Sequence, residues 1–587
     1  MEHRKLRRLA GVVAGIGLVA GMLVPAPVAF AIPTCTTTPR IDGSFIQPAL
    51  VDGWSASQLS AEFATLTNAC ITSQVIQWTA DTKNNTTIYP SGLSGYSQDT
   101  STDVVGRVLT AADSANVAEY LGLQTNDDWW NTYASDSSWL NSQATKANAL
   151  ADDLYAKYGT HSSFSGWYLP FEVDNWNFTS TTSWSNMASF YTTVANHLHS
   201  LTPGKPVVIS PFFNTTGGQT SSQWTTMWES ILTTAPIDVV ALQDGIGAGH
   251  ATISQLPTWF AATKAAITST RPATQLWADS ETFNTDFTPM SIGQLVSDLE
   301  AVAPYVSKIL SFSYDHYDSP SQVPSVYDTT YRGYLDTGSV ESSTPTTPSS
   351  PLATNAGITA IDLNWTASTD NIGIAGYRIY RNGSLVRLLQ GAGAAFHDAG
   401  LAASTSYSYA VAAFDAAGNV SAQSSTVSAS TSAAPAESPL LSASTSYTST
   451  LAASSSYPDG GGTELTNGTT ASANYADAAW QGRNTGGVYS FTVDLGAPKT
   501  VNQVGTSWLQ TKSVFIFLPS QIAVSISSNG SSFTPLVTLT APSVSDVDQR
   551  YTYAAYNLSG TGRYVKFTVT PASSAWSFTD EITVRGN

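Results

Sequence analysis

Eight short apolar runs, spaced through residues 32–337 and separated by helical patterns, limit what this chain can fold into more than anything else in it. They occupy residues 41–47, 75–80, 118–124, 165–172, 206–213, 239–244, 275–281 and 308–315. Stretches with helical spacing lie between them, among them 184–201, 254–270 and 292–305. Strands alternating with helices build parallel βα units, because a parallel strand needs a crossover to return. Eight such units predict a (β/α)8 TIM barrel, with a doubly wound sheet as the competing arrangement.

Nearly every run ends in polar or aromatic residues. Gln77-Trp78, Asn126-Asp127-Asp128-Trp129-Trp130, Phe213-Asn214, Gln243-Asp244 and Tyr314-Asp315-His316-Tyr317 are examples. In a barrel those ends meet at one face, where active sites are built. The fourth run ends Trp167-Tyr168-Leu169-Pro170-Phe171-Glu172-Val173-Asp174-Asn175-Trp176, and the seventh Trp277-Ala278-Asp279-Ser280-Glu281. Breaking a glycosidic bond needs a proton for the leaving oxygen and a carboxylate for the oxocarbenium-like centre. Glu172, among apolar and aromatic neighbours, suits the general acid, and Glu281, in a more polar setting, the nucleophile. An ion-paired glutamate at the barrel rim is the plainer reading of either. Asp174, Asp244, Asp279 and Asp315 stand as alternatives to Glu281 in an inverting arrangement.

Aromatic faces stack on the C–H faces of sugars. Trp78, Trp129, Trp130, Trp176, Phe213, Trp277 and Tyr317 lie at or beyond strand ends, where some would stack on sugar and others pack under loops. The substrate-contact expectation covers Trp78, Trp129, Trp130, Asp174, Trp176, Phe213, Asn214, Asp244, Trp277, Tyr314 and His316. Gly245-Ile246-Gly247-Ala248-Gly249-His250 lacks the glycine spacing and the downstream acid of a dinucleotide loop. The chain has no His-Glu-x-x-His, no Gly-x-Ser-x-Gly and no phosphate loop, so catalysis is expected to need no cofactor.

The first residues set the compartment. Arg4, Lys5, Arg7 and Arg8 precede an apolar run from Leu9 to Val24 and an Ala29-Phe30-Ala31 site. That is the form of a secretory signal peptide cleaved after Ala31, with an uncleaved anchor as the alternative. Cleavage leaves 20 basic against 41 acidic residues. Such a charge disfavours nucleic acid and anionic lipid as partners, and a weakly charged, aromatic-rich chain suits neutral glycan. A secreted, extracellular monomer with no membrane insertion is expected. Cys35 and Cys70, alone in an oxidising compartment, are expected to pair, with two buried thiols as the alternative.

Residues 338–352 are rich in Ser, Thr and Pro and read as an extended linker. Short alternating strands over 353–432 predict a small immunoglobulin-like β-sandwich. A second linker, 433–438, leads to another all-β stretch, 439–587, with markers such as Phe491-Thr492-Val493-Asp494-Leu495-Gly496 and Arg563-Tyr564-Val565-Lys566-Phe567.

Three resemblances sharpen this layout. Trp167, Tyr168, Pro170, Glu172 and Asp174 match a Trp-Tyr-x-Pro-x-Glu-x-Asp motif. On it, 36–337 resembles a secreted barrel family of uncharacterised function, related to the large clan of retaining glycosidases. In that clan the acid/base ends the fourth strand and the nucleophile the seventh, which implies these roles for Glu172 and Glu281. Its Asn-Glu pair is absent, because Phe171 precedes Glu172; Asn175 or Asn214 would then contact the substrate 2-hydroxyl. Residues 353–432 resemble a fibronectin type III domain, used in such proteins as a spacer. Residues 439–587 resemble a discoidin, or coagulation factor V/VIII type C, domain of the carbohydrate-binding kind. That likeness implies a glycan ligand and a structural calcium held through Asp459, Asn467 and Glu581, oxygen donors of the type calcium takes. The whole then reads as a secreted glycoside hydrolase acting on polysaccharide. The rival is a catalytically silent carbohydrate-binding or adhesion protein.

Overall fold

The computed structural model describes residues 35–541, 548–572 and 575–587. The expected signal peptide, 1–31, lies outside the described residues. Eight parallel strands form a closed barrel; six fall within the runs predicted from sequence, and the second and fourth begin two residues and one residue earlier than predicted. They are β1 (Gly43–Ile46), β2 (Ser73–Ile76), β3 (Ala118–Gly122), β4 (Phe164–Leu169), β5 (Val207–Ile209), β6 (Val239–Gln243), β7 (Gln275–Glu281) and β8 (Ile309–Phe312). Each is followed by its helix: α1 (Ala56–Asn68), α2 (Val104–Ala115), α3 (Ser137–Tyr158), α4 (Thr181–Leu201), α5 (Ser221–Leu232), α6 (Leu256–Thr270), α7 (Ile292–Val302) and α8 (Val326–Thr337).

The strands read as continuous apolar runs because both of their faces are buried. Phe45, Val75, Tyr120, Tyr168, Val208, Ala241, Trp277 and Leu310 point inward as one cluster. Ile46, Ile76, Leu121, Trp167, Ile209 and Leu242 point outward onto the helices. Local chemistry sets where several helices begin. Ser55 with Gln58 and Thr220 with Gln223 form capping boxes that satisfy first-turn amides, and Ser180 and Ser291 cap α4 and α7.

Runs two and three are shorter in the barrel than the sequence predicts. At Gly122 a Cβ would lie 2.3 Å from the Gln77 carbonyl oxygen, so the two backbones crowd there. Beyond this point Ala80–Asp81 and Gln124–Thr125 leave the barrel and pair with each other in a small separate sheet. The Cys35–Cys70 disulfide forms, tying the start of the described chain to the segment before β2.

Seven further strands make a β-sandwich. β9 (Ser349–Asn355), β10 (Ala360–Thr366) and β13 (Ala395–Ala399) form one sheet. β11 (Gly376–Arg381), β12 (Ser384–Gln390), β14 (Ser406–Phe414) and β15 (Val427–Ser430) form the other. The Ser/Thr/Pro stretch is extended as predicted, but it is docked. Val340 packs on the barrel core, Thr346 pairs with Thr369, and 349–352 already belong to β9. The sandwich also shares the barrel's core, because Ala375 and Ala416 join the same buried cluster as α7 and α8. The Ile292 and Gly293 amides donate to the carbonyls of Ala416 and Ala417 at 2.8 and 3.1 Å. A side chain at Gly293 would collide with that backbone, at 2.6 Å. The contact lies at the N-terminal ends of α7 and α8, beside the strand ends that form the barrel's upper face.

The last region is one eight-stranded assembly. It comprises β16 (Tyr447–Ser449), β17 (Gln481–Thr485), β18 (Tyr489–Leu509), β19 (Gln521–Ser527), β20 (Thr534–Thr540), β21 (Arg550–Ala555), β22 (Gly560–Thr570) and β23 (Ala575–Gly586). Strand β18 is 21 residues long and is used twice. Its first half pairs with β16 and β22, and its second half with β21 and β23. Phe491, Val493, Trp508, Val565 and Phe567 fill the core between the layers. Among the described residues, no helix is long and apolar enough to cross a membrane.

Candidate active site

Glu172 lies three residues past the end of β4, and Glu281 is the last residue of β7. Because the strands are parallel, both glutamates stand at the same end of the barrel. Side chains alternate along a strand. Tyr168 and Trp277 point inward, and each glutamate follows its inward neighbour by four residues. Both are almost wholly buried, Glu172 at 6% and Glu281 at 2% exposure.

Aromatic residues surround Glu172. Phe171, beside it, stacks on Trp129 at 4.9 Å with the rings 3° from parallel. The hydroxyls of Tyr133 and Tyr191 are close enough to feel its charge. Burial, then Asp174 and Glu172, pushes the Tyr133 phenol up to about 12, and burial and Glu172 raise Tyr191 as well. Tyr133 was not expected from sequence. Its backbone has φ +45°, rare for a residue with a side chain, at the end of the short helix Trp129–Thr132.

Glu281 sits in a different cradle. Its Oε2 accepts the Ala248 amide at 2.7 Å, and its own amide donates to Asp244 Oδ1 at 3.3 Å. Tyr317 faces it from the segment after β8. Burial and Glu281 raise that phenol, and its ring stacks on His316 at 4.5 Å. Two residues lower on β7, Asp279 accepts the Ser210 hydroxyl at 2.8 Å, and burial pushes its carboxyl up to about 8. Burial also raises Asp244, to about 6, and holds the His316 imidazole below its usual value.

The remaining expected residues divide into two groups. Trp176 is 52% exposed, with its indole laid against Gly217 and Gly218. A Cβ at Gly218 would lie 2.0 Å from that ring, so the glycine makes room for an exposed aromatic shelf. Trp78 and His316 are half-buried near strand ends, and Trp130 is buried with its ring edge-on to Tyr133 at 6.2 Å.

Seven expected contacts are instead held within the fold. Phe213 is buried and stacked on Trp259 at 4.6 Å, and Trp129 is taken up by Phe171 and Trp139. Trp277 lies four residues below Glu281, about 13 Å at 3.3 Å per residue. It packs at the barrel floor with Tyr120, and Lys308 sits 4.6 Å over its ring. Tyr314 points outward and donates to Asp328 at 2.5 Å. Asp174 closes a turn by accepting the amides of Trp176 and Asn177, both at 2.7 Å. Asn214 is tied to Asn175 through its amide and carbonyl, and Asn175 spends its own amide group on the carbonyls of Asn214, Gly217 and Gln219. These two asparagines join the loops after β4 and β5 rather than reaching for a sugar hydroxyl. Asp244 holds the β6 and β7 ends together from a buried position.

In the C-terminal region the expected calcium residues do not form one set. Glu581 fits: its Oε2 accepts the Gly468 amide at 3.1 Å, and its Oε1 is buried with no hydrogen-bond partner. Asn467, beside it, spends its side-chain oxygen on the Thr469 amide. Asp459 turns elsewhere, to the Tyr447 hydroxyl at 2.7 Å and the Gly462 amide at 2.8 Å.

The fold and site define a barrel with two buried acids at its upper face, carried with a β-sandwich and a discoidin-like domain. Residues 41–324 match the model of a domain of unknown function (DUF4434), and residues 450–582 that of the F5/8 type C domain. Chitinase Chi52 of Paenibacillus xylanexedens is 42% identical over 116 residues, 19% of this chain and 21% of that protein. Exoglucanase B of Cellulomonas fimi is 48% identical over 88 residues, 14% of this chain and 8% of that protein. The matched stretches thus span about a fifth or less of these relatives. A putative alpha-L-fucosidase structure from Bacteroides thetaiotaomicron is 21% identical and covers 54% of this chain and 99% of its own, with a TM-score of 0.45. A chitosan-binding module from a Paenibacillus sp. chitosanase/glucanase is 17% identical and covers 25% of this chain and 99% of its own, with a TM-score of 0.19.

Proposed function

We propose that this protein is a secreted glycoside hydrolase that cleaves a polysaccharide or glycan with retention, using Glu172 as acid/base and Glu281 as nucleophile. The observation that carries the reading is the burial of two glutamates, at the ends of β4 and β7, on one face of one barrel. Glu172, walled by aromatics, is in surroundings that favour a protonated acid. Glu281, with an amide aimed at its carboxylate, is in surroundings that favour the charged form. In a retaining reaction Glu281 attacks the anomeric carbon while Glu172 protonates the departing oxygen. Water, deprotonated by Glu172, then releases the sugar. Trp176 is the exposed shelf on which a sugar ring would stack.

The F5/8 type C domain is the glycan anchor in this reading, and the short matches to a chitinase and an exoglucanase agree with a polysaccharide as the substrate of the whole protein. Calcium, where it binds, is held through Glu581 and the carbonyls of the neighbouring loop, and stabilises that loop. Asp459 takes no part.

Incubating the full chain with a panel of polysaccharides and following the first-formed sugar by proton NMR tests the proposal. Release of sugar with the substrate's anomeric configuration is expected. Release of the opposite anomer overturns retention. No release from any glycan that the protein binds overturns hydrolysis in favour of a silent carbohydrate-binding protein.

A further inference from the structure

The turn over residues 245–250 has so far supplied a single amide to Glu281, although three of its six residues are glycine. Its construction gives it a larger part. The Ala248 amide points at Glu281 Oε2 from 2.7 Å, and the turn that carries it is closed on itself. The His250 and Ala251 amides both return to the Gly245 carbonyl, the Gly249 amide returns to Ile246, and Asp244 Oδ1 receives the Ile246 amide at 3.1 Å. The same Asp244 oxygen receives the Glu281 amide. One buried carboxylate therefore fixes both the root of the turn and the backbone of the residue that the turn addresses.

Sterics explain the glycines. Gly245 and Gly249 have φ of +68° and +72°, where a side chain is strained. At Gly247 a Cβ would lie 2.5 Å from the Phe283 carbonyl oxygen, so any side chain there lifts the turn off the segment that follows β7.

We infer that the 245–250 turn is a positioning element for the Glu281 carboxylate, which it aims by donating the Ala248 amide, with Gly247 allowing the approach. This deepens the hydrolase reading and rests on it only for its consequence in catalysis. An amide donor prefers an anion, so the turn both points the carboxylate and favours its charged form. Among the ionisable groups around Glu281, Tyr317 faces its carboxylate from beyond β8, Asp244 at the end of β6 holds its backbone amide, and Asp279 lies two residues lower on β7.

The test uses the full chain as wild type, Ala248→Pro and Gly247→Ala. Proline removes the donor, and alanine displaces the turn. Selective 13C labelling of glutamate carboxyls is practical because the chain holds only eleven glutamates, and Glu281→Gln assigns the resonance. The Glu281 titration midpoint should rise by about one pH unit in both variants while that of Glu172 stays. On a glycan that the wild type cleaves, kcat should fall roughly tenfold with KM unchanged, and the acid limb of the rate profile should move to higher pH. An unmoved Glu281 midpoint in either folded variant overturns the proposal. Should neither variant fold, the wild-type protein still decides. The Ala248 amide proton must titrate with the Glu281 midpoint, and an indifferent amide overturns the proposal. The carboxyl readout needs no substrate, so a shift in a protein that cleaves nothing keeps the turn and discards the hydrolase.

Discussion

The barrel and the C-terminal domain handle their acidic residues in opposite ways. The barrel buries several carboxyls with no base among the groups that act on them. Glu62 and Asp279 are pushed up to about 8 and Asp298 to about 9, in each case chiefly by burial, and Glu119 is raised with neither oxygen hydrogen-bonded. The C-terminal domain instead pairs acids with arginine. Asp580 binds Arg550 at 2.7 Å, and Asp494 binds Arg563 at 2.7 Å. A region that runs acid–base chemistry gains from carboxyls whose protons are held near neutral pH, whereas one that only presents a surface does better with charges fixed. The difference agrees with placing the proposed chemistry in the barrel.

The comparison breaks most sharply under single substitutions. Glu172→Gln and Glu281→Gln should each lower kcat by about a thousandfold or more, while retention on an insoluble glycan column stays as in the wild type. Loss of retention in either variant would place binding in the barrel as well. Next in size is Asp580→Ala, which strands Arg550 and should destabilise the C-terminal domain by about 3–5 kcal/mol in urea unfolding. Asp279→Asn in the barrel, replacing a neutral acid by a neutral amide, should change stability little at pH 6.

A smaller effect sharpens the contrast through pH. The raised barrel carboxyls keep protons that the unfolded chain releases near pH 4. Their contribution is therefore complete below that pH and is lost as pH rises to about 9. Asp494 is held below its usual range by Arg563, and its contribution is lost only as pH falls below about 4. Calorimetry from pH 5 to 8.5 should show the barrel transition falling throughout, while that of the C-terminal domain falls only until Glu581 has lost its proton and is nearly fixed above about pH 7.5. Glu581, raised to about 7, runs the other way within its own domain. Smallest of all, Arg563→Ala removes only an exposed pair and should barely move either transition.

The same contrast shows why some residues were legible in the sequence and others were not. The barrel strands could be read because burial on both faces makes each one an unbroken apolar run. The place of Glu172 and Glu281 at one end of the barrel could be read because each closes or follows such a run. Trp277 was misjudged through height: the alternation puts it inside the barrel, but four residues below Glu281 inside means the floor. The packing of Phe213 was not legible because its stacking partner, Trp259, lies more than forty residues away, and Trp129 likewise meets Phe171 from a distant segment as well as the nearer Trp139. Tyr133 had a signal only in its backbone, and a positive φ leaves no trace in residue type. The Ser/Thr/Pro stretch looked free because its docking runs through Val340 and Thr346, single residues in a polar run.

The sandwich's hold on α7 and α8 changes what counts as the smallest working piece. A chain ended at residue 337 would leave Gly293 and the flank beside it facing water, next to the segment that carries Glu281. Barrel and sandwich should therefore be less stable apart than together, and the first cut that spares their contact is the stretch that precedes residue 439.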